Sequence, residues 1–294
     1  MTTLERYGFD ATRQASAASP PAGEIFGRVV SAHGDYFHLV CDVAEGEILA
    51  RKKASAFRSE EALQPTTGDF VRLVYNPSGE SRITGVLPRF SEFLRVDPSS
   101  SGRRTQAIAV NFNSLFFLMS VNENFSPARL ARVVELAEAS GCRERLVVLL
   151  TKADLAEARE LSEQEALLAP FDVAVHAISA KTGQGMERLA PFAQSGRTVA
   201  FIGSSGVGKS SLVNALAGED WMATQEIQAW SGKGRHTTTS RELVMLPSGL
   251  MAIDTPGMRE LGLPGRDGRH RFHSSGTHRY RAPETARSQS FGNA

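Results

Sequence analysis

Eight consecutive residues, Gly203-Ser204-Ser205-Gly206-Val207-Gly208-Lys209-Ser210, fit the pattern G-x-x-x-x-G-K-S/T. Glycines in such a run let the main chain wrap closely round phosphate oxygens and aim its N–H groups at them. Lys209 is then expected to reach the β- and γ-phosphates of a nucleotide, and Ser210 to give its hydroxyl oxygen to Mg2+. The segment KSSLVNALAG from Lys209 reads as a helix whose positive end adds to the cradle, with Gly218 as its stop. Gly203 to Ser211 are the expected phosphate-binding residues.

Thr151-Lys152-Ala153-Asp154 and Ser179-Ala180-Lys181 offer a second chemistry, the reading of a base. A carboxylate at Asp154 accepts from both N1–H and the 2-amino group of guanine, whereas adenine presents an acceptor at N1 and nothing at position 2. A mismatch leaves buried polar groups unpaired, and sites of that type discriminate by roughly 10⁴–10⁵. Lys152 would lay its aliphatic stem over the base, and Ala180 would turn its main-chain N–H towards the guanine oxygen. Ser179 and Lys181 complete that loop. Thr151 stands where Asn is commoner, and its hydroxyl can still brace the loop. Taken alone, TKAD equally describes a helix start capped by Asp154; its company favours the base reader.

A third group handles the metal and the reacting phosphate. Asp254, in Asp254-Thr255-Pro256-Gly257, is expected to hold Mg2+ through water, with the Gly257 N–H facing the γ-phosphate. The preceding Gly232-Lys233-Gly234-Arg235-His236-Thr237-Thr238-Thr239 reads as a mobile switch. Thr238 is favoured as the second hydroxyl ligand of Mg2+, with Thr237 and Thr239 as alternatives. Met258 occupies the place where Ras-like enzymes carry the glutamine that orients water, and a thioether cannot do that work. His236 is the nearest substitute, an imidazole able to handle a proton; spacing alone equally allows a loop residue. The set is that of a guanine-nucleotide enzyme, but the base-reading motifs precede the phosphate loop. That rotated order points to a circularly permuted GTPase.

The elements around these motifs agree with the reading. Ser114 to Val121 and Arg145 to Leu150 are apolar runs of the kind found in strands buried on both faces. Residues 127–140 carry apolar side chains at helical spacing. Val173 to Ile178, Thr198 to Ile202 and Leu250 to Ile253 are further strands, each running into a motif, as ligand loops do in doubly wound sheets. The expected fold of residues 111–263 is a mostly parallel α/β nucleotide-binding domain. Ahead of it, short alternating segments at 25–30, 36–43, 47–53, 69–75 and 82–87 suit a small all-β, OB-like barrel over residues 24–96. Arg51, Lys52, Lys53, Arg58 and Arg72 lie on or beside them, either as a solvated face or as a platform for RNA phosphates. Residues 1–23 read as a flexible arm, 97–110 as a linker, and 264–294 as a disordered basic tail.

At 294 residues, 41% apolar and 22% charged, the chain has the make-up of a folded, water-soluble protein. Its net charge of +1 does not mark a nucleic-acid binder. Two cysteines, Cys41 and Cys142, can build neither a disulfide framework nor a four-cysteine metal site. No apolar run approaches the roughly 20 residues that span a bilayer, and Met1–Asp10 lacks the apolar core of a signal peptide. A cytoplasmic monomer without membrane contact is expected.

The order TKAD, SAK, GSSGVGKSS, GRHTTT, DTPG behind a barrel-like domain resembles the ribosome small subunit-dependent GTPase A family of bacteria. The resemblance covers roughly residues 24–261, including the phrases GVGKSSLVNAL and KGRHTTT. It implies an OB domain, a permuted GTPase domain and a zinc-binding C-terminal domain. It also implies binding of GTP and GDP, Mg2+ dependence, activity stimulated by the 30S subunit, contact with 16S rRNA and a role in late 30S maturation. The histidine matching His236 is the family's proposed catalytic residue; from the phosphate-loop pattern, Lys209 is the other residue expected to act in catalysis. The departure follows Leu263: the family's Cys-rich knuckle has no counterpart, since no cysteine lies beyond Cys142. No zinc ligands are therefore assigned, and a truncated or frame-shifted C-terminus is the expectation. A nucleotide-gated RNA-binding module with negligible turnover is the alternative that Met258 and the missing zinc region suggest.

Overall fold

A computed structural model describes residues 1–59, 62–96, 105–218 and 241–254; of Val96 and Asp254 only the main chain is described. Strands β1 (Ile25–His33), β2 (Tyr36–Val40), β3 (Ile48–Lys52), β4 (Phe70–Val74) and β5 (Ser81–Val86) close into a barrel in the order β1-β2-β3-β5-β4. Closure removes the open edges that a five-stranded sheet would otherwise present. The strand period of two sets the interior: Phe37 and Leu39, and Val71 and Leu73, point inward with Val29, Ala50 and Ile83. All five expected β segments appear, in an OB-like closed topology.

The second layer system is a sheet in the order β10-β9-β8-β11-β13-β12. Its strands are β8 (Ser114–Ser120), β9 (Leu146–Thr151), β10 (Ala174–Ala177), β11 (Thr198–Gly203), β12 (Leu243–Met245) and β13 (Met251–Asp254). Neighbours pair in parallel except β12, which runs antiparallel to β13. Strand β8 shows why its sequence is continuously apolar. Leu115, Phe117 and Met119 pack into one core, and Phe116 and Leu118 into the core on the other face. The strand that comes first in this sheet's sequence order thus lies centrally, beside β11, whose carboxyl end carries the phosphate-loop sequence.

Helix α3 (Pro127–Ala139) covers one face through Leu130, Val133, Val134 and Ala137, spaced as a helical stripe. Pro127 and the Ser126 side-chain cap start it. Helix α4 (Ala158–Leu168) packs Leu168 on the same side, whereas α5 (Lys209–Ala217) packs Leu212 and Val213 on the opposite face.

Two expectations are corrected. Residues 1–23 are not a structureless arm: they form α1 (Thr3–Arg6) and α2 (Ala11–Ser16), and Leu4 and Phe9 are buried in the main core. Here α1 closes with a Thr2/Glu5 capping box, and Phe9 packs on Phe26 and Phe70. Thr105–Val110, placed in the linker, is strand β7, paired antiparallel with β6 (Glu92–Val96). The expected tail, 264–294, lies outside the described residues.

A buried polar knot joins barrel to sheet. The Arg28 side chain of β1 is fully buried yet donates to the Tyr7 carbonyl, to the Asn111 carbonyl at 3.1 Å and to the Thr198 hydroxyl at 2.9 Å. Burial pushes its pKa down to about 9, so it remains charged at neutral pH. Next to it Asp69 takes two hydrogen bonds from Arg89, at 2.8 and 2.9 Å, and one from the Thr66 N–H. Burial raises the Asp69 carboxyl, against the lowering effect of Arg89. A buried ion without such partners would be strongly unfavourable; with them, the knot fixes how the barrel meets β11 and β13.

Candidate nucleotide site

The carboxyl ends of β9, β10 and β11 converge on a cavity of about 290 Å³. Thr151, Lys152, Asp154, Ser179, Ala180 and Lys181 line it together with Gly208 and Ser211, so both base-reading motifs meet the phosphate loop in space. A larger cavity, about 470 Å³, lies at the amino ends of β11 and β13 among Met1, Arg6, Ser195 and Met245. It holds none of the motif residues, so the smaller cavity is the candidate site.

Local hydrogen bonding shapes the base end. Lys152 takes a left-handed conformation, φ 60°, which turns the chain sharply after β9. The Ala153 N–H donates to the Ile178 carbonyl at 3.0 Å and ties the two motif loops together. The Ser179 hydroxyl donates to Asp154 Oδ1 at 2.6 Å and accepts from the Thr182 N–H at 3.2 Å. Asp154 is therefore oriented by Ser179 and does not act as a side-chain helix cap; α4 begins later, after Glu157. Gly185 closes the Ser179 loop at φ 72°, where a Cβ would lie 2.2 Å from the Ala177 carbonyl oxygen. Only glycine fits there.

The phosphate end has its own supports. Gly206 and Gly208 adopt φ of 77° and 97°, the left-handed turns that a loop of inward-facing N–H groups requires. Thr151 Oγ1 donates to the Val207 carbonyl at 2.5 Å, linking the end of β9 to the middle of the loop. Helix α5 starts at Lys209 and ends at Gly218, φ 80°, so its positive end faces the loop. Sequence reasoning did not single out Arg129, which donates to the Ser204 hydroxyl at 2.9 Å. A lone arginine inside a helical pattern gives no sign of a partner 75 residues away.

For Mg2+, Ser210 is exposed in the first turn of α5, and Asp254 ends β13 opposite Phe201, two residues before the loop begins. A hydroxyl and a carboxylate are hard oxygen donors, which suit that ion. His236, Thr237, Thr238, Thr239, Gly257 and Met258 lie outside the described residues. Two residues after Thr239, the chain is fastened to the barrel and to β7. The Arg241 carbonyl accepts from the Thr67 hydroxyl at 2.8 Å, its guanidinium donates to the Ala107 carbonyl at 2.7 Å, and Glu242 bridges to Ser31 of β1.

Comparison with known proteins follows the same lines. The family model described as RsgA GTPase matches residues 86–264. Small ribosomal subunit biogenesis GTPase RsgA 2 of Lactiplantibacillus plantarum is 39% identical over 260 residues, covering 88% of this chain and 72% of that protein. The protein of the same name from Listeria monocytogenes is 35% identical over 261 residues, covering 89% and 72%. Among solved structures, YjeQ from Thermotoga maritima superposes with a TM-score of 0.58 at 26% identity, over 80% of this chain and 75% of that one. YloQ, a circularly permuted GTPase, shares the fold with a TM-score of 0.53 at 20% identity, over 82% and 74%.

Proposed function

Since the chain belongs to the RsgA GTPase family, we propose that it hydrolyses GTP as a nucleotide-dependent switch in late maturation of the small (30S) ribosomal subunit. The observation that carries the nucleotide reading is the linked pair of contacts Ser179–Asp154 and Thr151–Val207. One orients the carboxylate that reads guanine; the other locks that loop to the phosphate cradle. Base recognition and phosphate positioning become one rigid unit, as the preorganisation of a phosphoryl-transfer site demands.

Within this reading Asp154 accepts from guanine, the Lys152 stem covers the base, and the Ala180 N–H donates to the guanine oxygen. Lys209 and the loop N–H groups of Gly203 to Ser211 neutralise charge on the β- and γ-phosphates, with the Gly257 N–H on the γ-phosphate. Ser210 and Thr238 would hold Mg2+ directly and Asp254 through water. When bound, the ion would supply positive charge against the nucleotide's phosphates. Water attacks the γ-phosphorus in line as the bond to the β–γ bridging oxygen breaks, GDP leaves with that oxygen, and His236 takes the proton-handling role that Met258 cannot fill.

The barrel is the RNA-facing part of the proposal. Arg82 is exposed and Arg51 half-buried on adjacent strands, and Arg51 lies 4.7 Å over the half-exposed Tyr36 ring. Both arginines pair with Glu80, at 3.8 and 3.4 Å. Exposed pairs of that kind are weak and exchange readily for rRNA phosphates. Among the described residues no helix is long and apolar enough to cross a membrane, and a ribosome-bound role puts the protein in the cytoplasm as a monomer.

Multiple-turnover phosphate release with and without purified 30S subunits tests the proposal. Stimulated release, lost in Lys209→Ala, is expected. Unchanged release in Lys209→Ala would remove the phosphate-loop assignment, and absent stimulation would remove the ribosomal one. Nucleotide-dependent 30S binding without turnover would instead establish a gated RNA-binding module.

A further inference from the structure

Helix α3 brings a cation to the phosphate loop from outside the nucleotide motifs. Arg129 sits in the first turn of α3, where a positive charge opposes the helix dipole. Its guanidinium reaches sideways instead, donating to the Ser204 hydroxyl at 2.9 Å and to the Asn124 carbonyl at 2.6 Å. Ser204 is the first residue of the loop after Gly203, and Asn124 belongs to the connection between β8 and α3. Among the described residues no carboxylate pairs with Arg129, and burial alone holds its pKa below the usual value. A guanidinium offers five N–H donors in a fixed fork. Two neutral acceptors leave further donors and the whole charge beside a loop shaped for phosphate.

The loop is thereby held at two points. Arg129 grips its entry at Ser204, and Thr151 grips Val207 beyond the turn. Between the grips lie Ser205 and Gly206, both exposed, with open space around Gly206 where a Cβ would sit. This stretch aims its N–H groups correctly only if its two ends stay put. We propose that Arg129 is a positioning residue of the phosphate loop. It pins the loop's first turn to the start of α3 and sets a positive charge beside the nucleotide's polyphosphate. This rests on the nucleotide reading above.

Titrations with fluorescent GTP and GDP analogues at several salt concentrations test it, using the parent chain, Arg129→Gln, Arg129→Lys and Ser204→Ala. Arg129→Gln should weaken both nucleotides about tenfold, the loss expected for one charge-assisted hydrogen bond. GTP should suffer more than GDP because it carries more negative charge, and the salt dependence of Kd should flatten. Arg129→Lys should restore the salt dependence without restoring full affinity. Ser204→Ala should lose less, and the double variant no more than Arg129→Gln alone, since both act through one contact. KM for GTP should rise with Kd while kcat at saturation changes little, a split that general destabilisation would not produce. A parent that binds GTP while Arg129→Gln binds within about twofold of it, with the same salt dependence, overturns the positioning role alone. A parent that binds no GTP overturns the nucleotide reading and this role with it. Should Arg129→Gln not fold, the Lys and Ser204 variants decide: parental affinity and salt dependence in both overturn the proposal.

Discussion

Replacing Thr151 by Val removes one hydroxyl and little else, because the two side chains share shape and β-branching. Thr151 and Val207 are 4% and 1% exposed, so water cannot take the place of the lost donor in the closed loop. A net hydrogen bond is worth about 0.5–1.5 kcal/mol, and an unpaired buried carbonyl adds about 1–3 kcal/mol. Roughly 2 kcal/mol is expected in total. How it divides depends on whether the empty loop relaxes. A relaxed loop lets the Val207 carbonyl find water, and the loss then appears when nucleotide reburies it. A rigid loop shows the loss directly in stability. Linkage fixes the sum, since the stability of the nucleotide-bound form equals that of the free form plus the binding term. Urea unfolding of the free protein and GDP titration should together account for about 2 kcal/mol, with Thr151→Ser close to the parent. GTP selectivity should not move, because Asp154 is held separately by Ser179. A sum below about 0.5 kcal/mol, the range of an ordinary surface change, would refute the brace.

Asp154→Asn should shift preference from GTP to XTP, by a factor on the order of 10³ or more; an unchanged GTP/XTP affinity ratio would show that another group reads the base. Gly185→Ala should weaken guanine nucleotides at least about tenfold, since the 2.2 Å approach to the Ala177 carbonyl forces the Ser179 loop open; parental Kd would contradict this. Arg28→Met should destabilise the protein by about 2–4 kcal/mol. It leaves the Tyr7 and Asn111 carbonyls and the Thr198 hydroxyl without their donor, and equal denaturation midpoints would contradict that.

What was legible in the sequence is what local pattern encodes. The run SLFFLMS is typical of a strand covered on both faces, and it is one. Gly218 ends α5 at φ 80°, as a glycine after a helix should. The base-reading and phosphate sequences, some fifty residues apart, line one cavity because each follows a strand of the same parallel sheet. The illegible parts depend on distant partners. The Ala-, Ser- and Pro-rich arm hid its two anchors, Leu4 in the main core and Phe9, which packs on Phe26 and Phe70 of the barrel. Thr105–Val110 reads as a linker until β6 pairs with it. Arg28 and Arg129 look like surface charges in sequence, and only the fold shows what each one holds.

Rotating the motif order changes what the switch sequence is attached to. With β8 leading, strands β12 and β13 come last, and the antiparallel edge strand β12 lies against β1 of the barrel. Thr238, the favoured Mg2+ ligand, is three residues before Arg241. Thr67, Ala107 and Ser31 fasten Arg241 and Glu242 to the barrel and to β7. The turn carrying Thr67 continues directly into Gly68, where a Cβ would lie 2.8 Å from the Val110 carbonyl, and into Asp69 of the buried knot. Such close packing transmits displacement and does not absorb it. The barrel that carries Arg51 and Arg82 is thus packed continuously against the anchor at Arg241 and Glu242, which follows in sequence the threonines proposed for Mg2+.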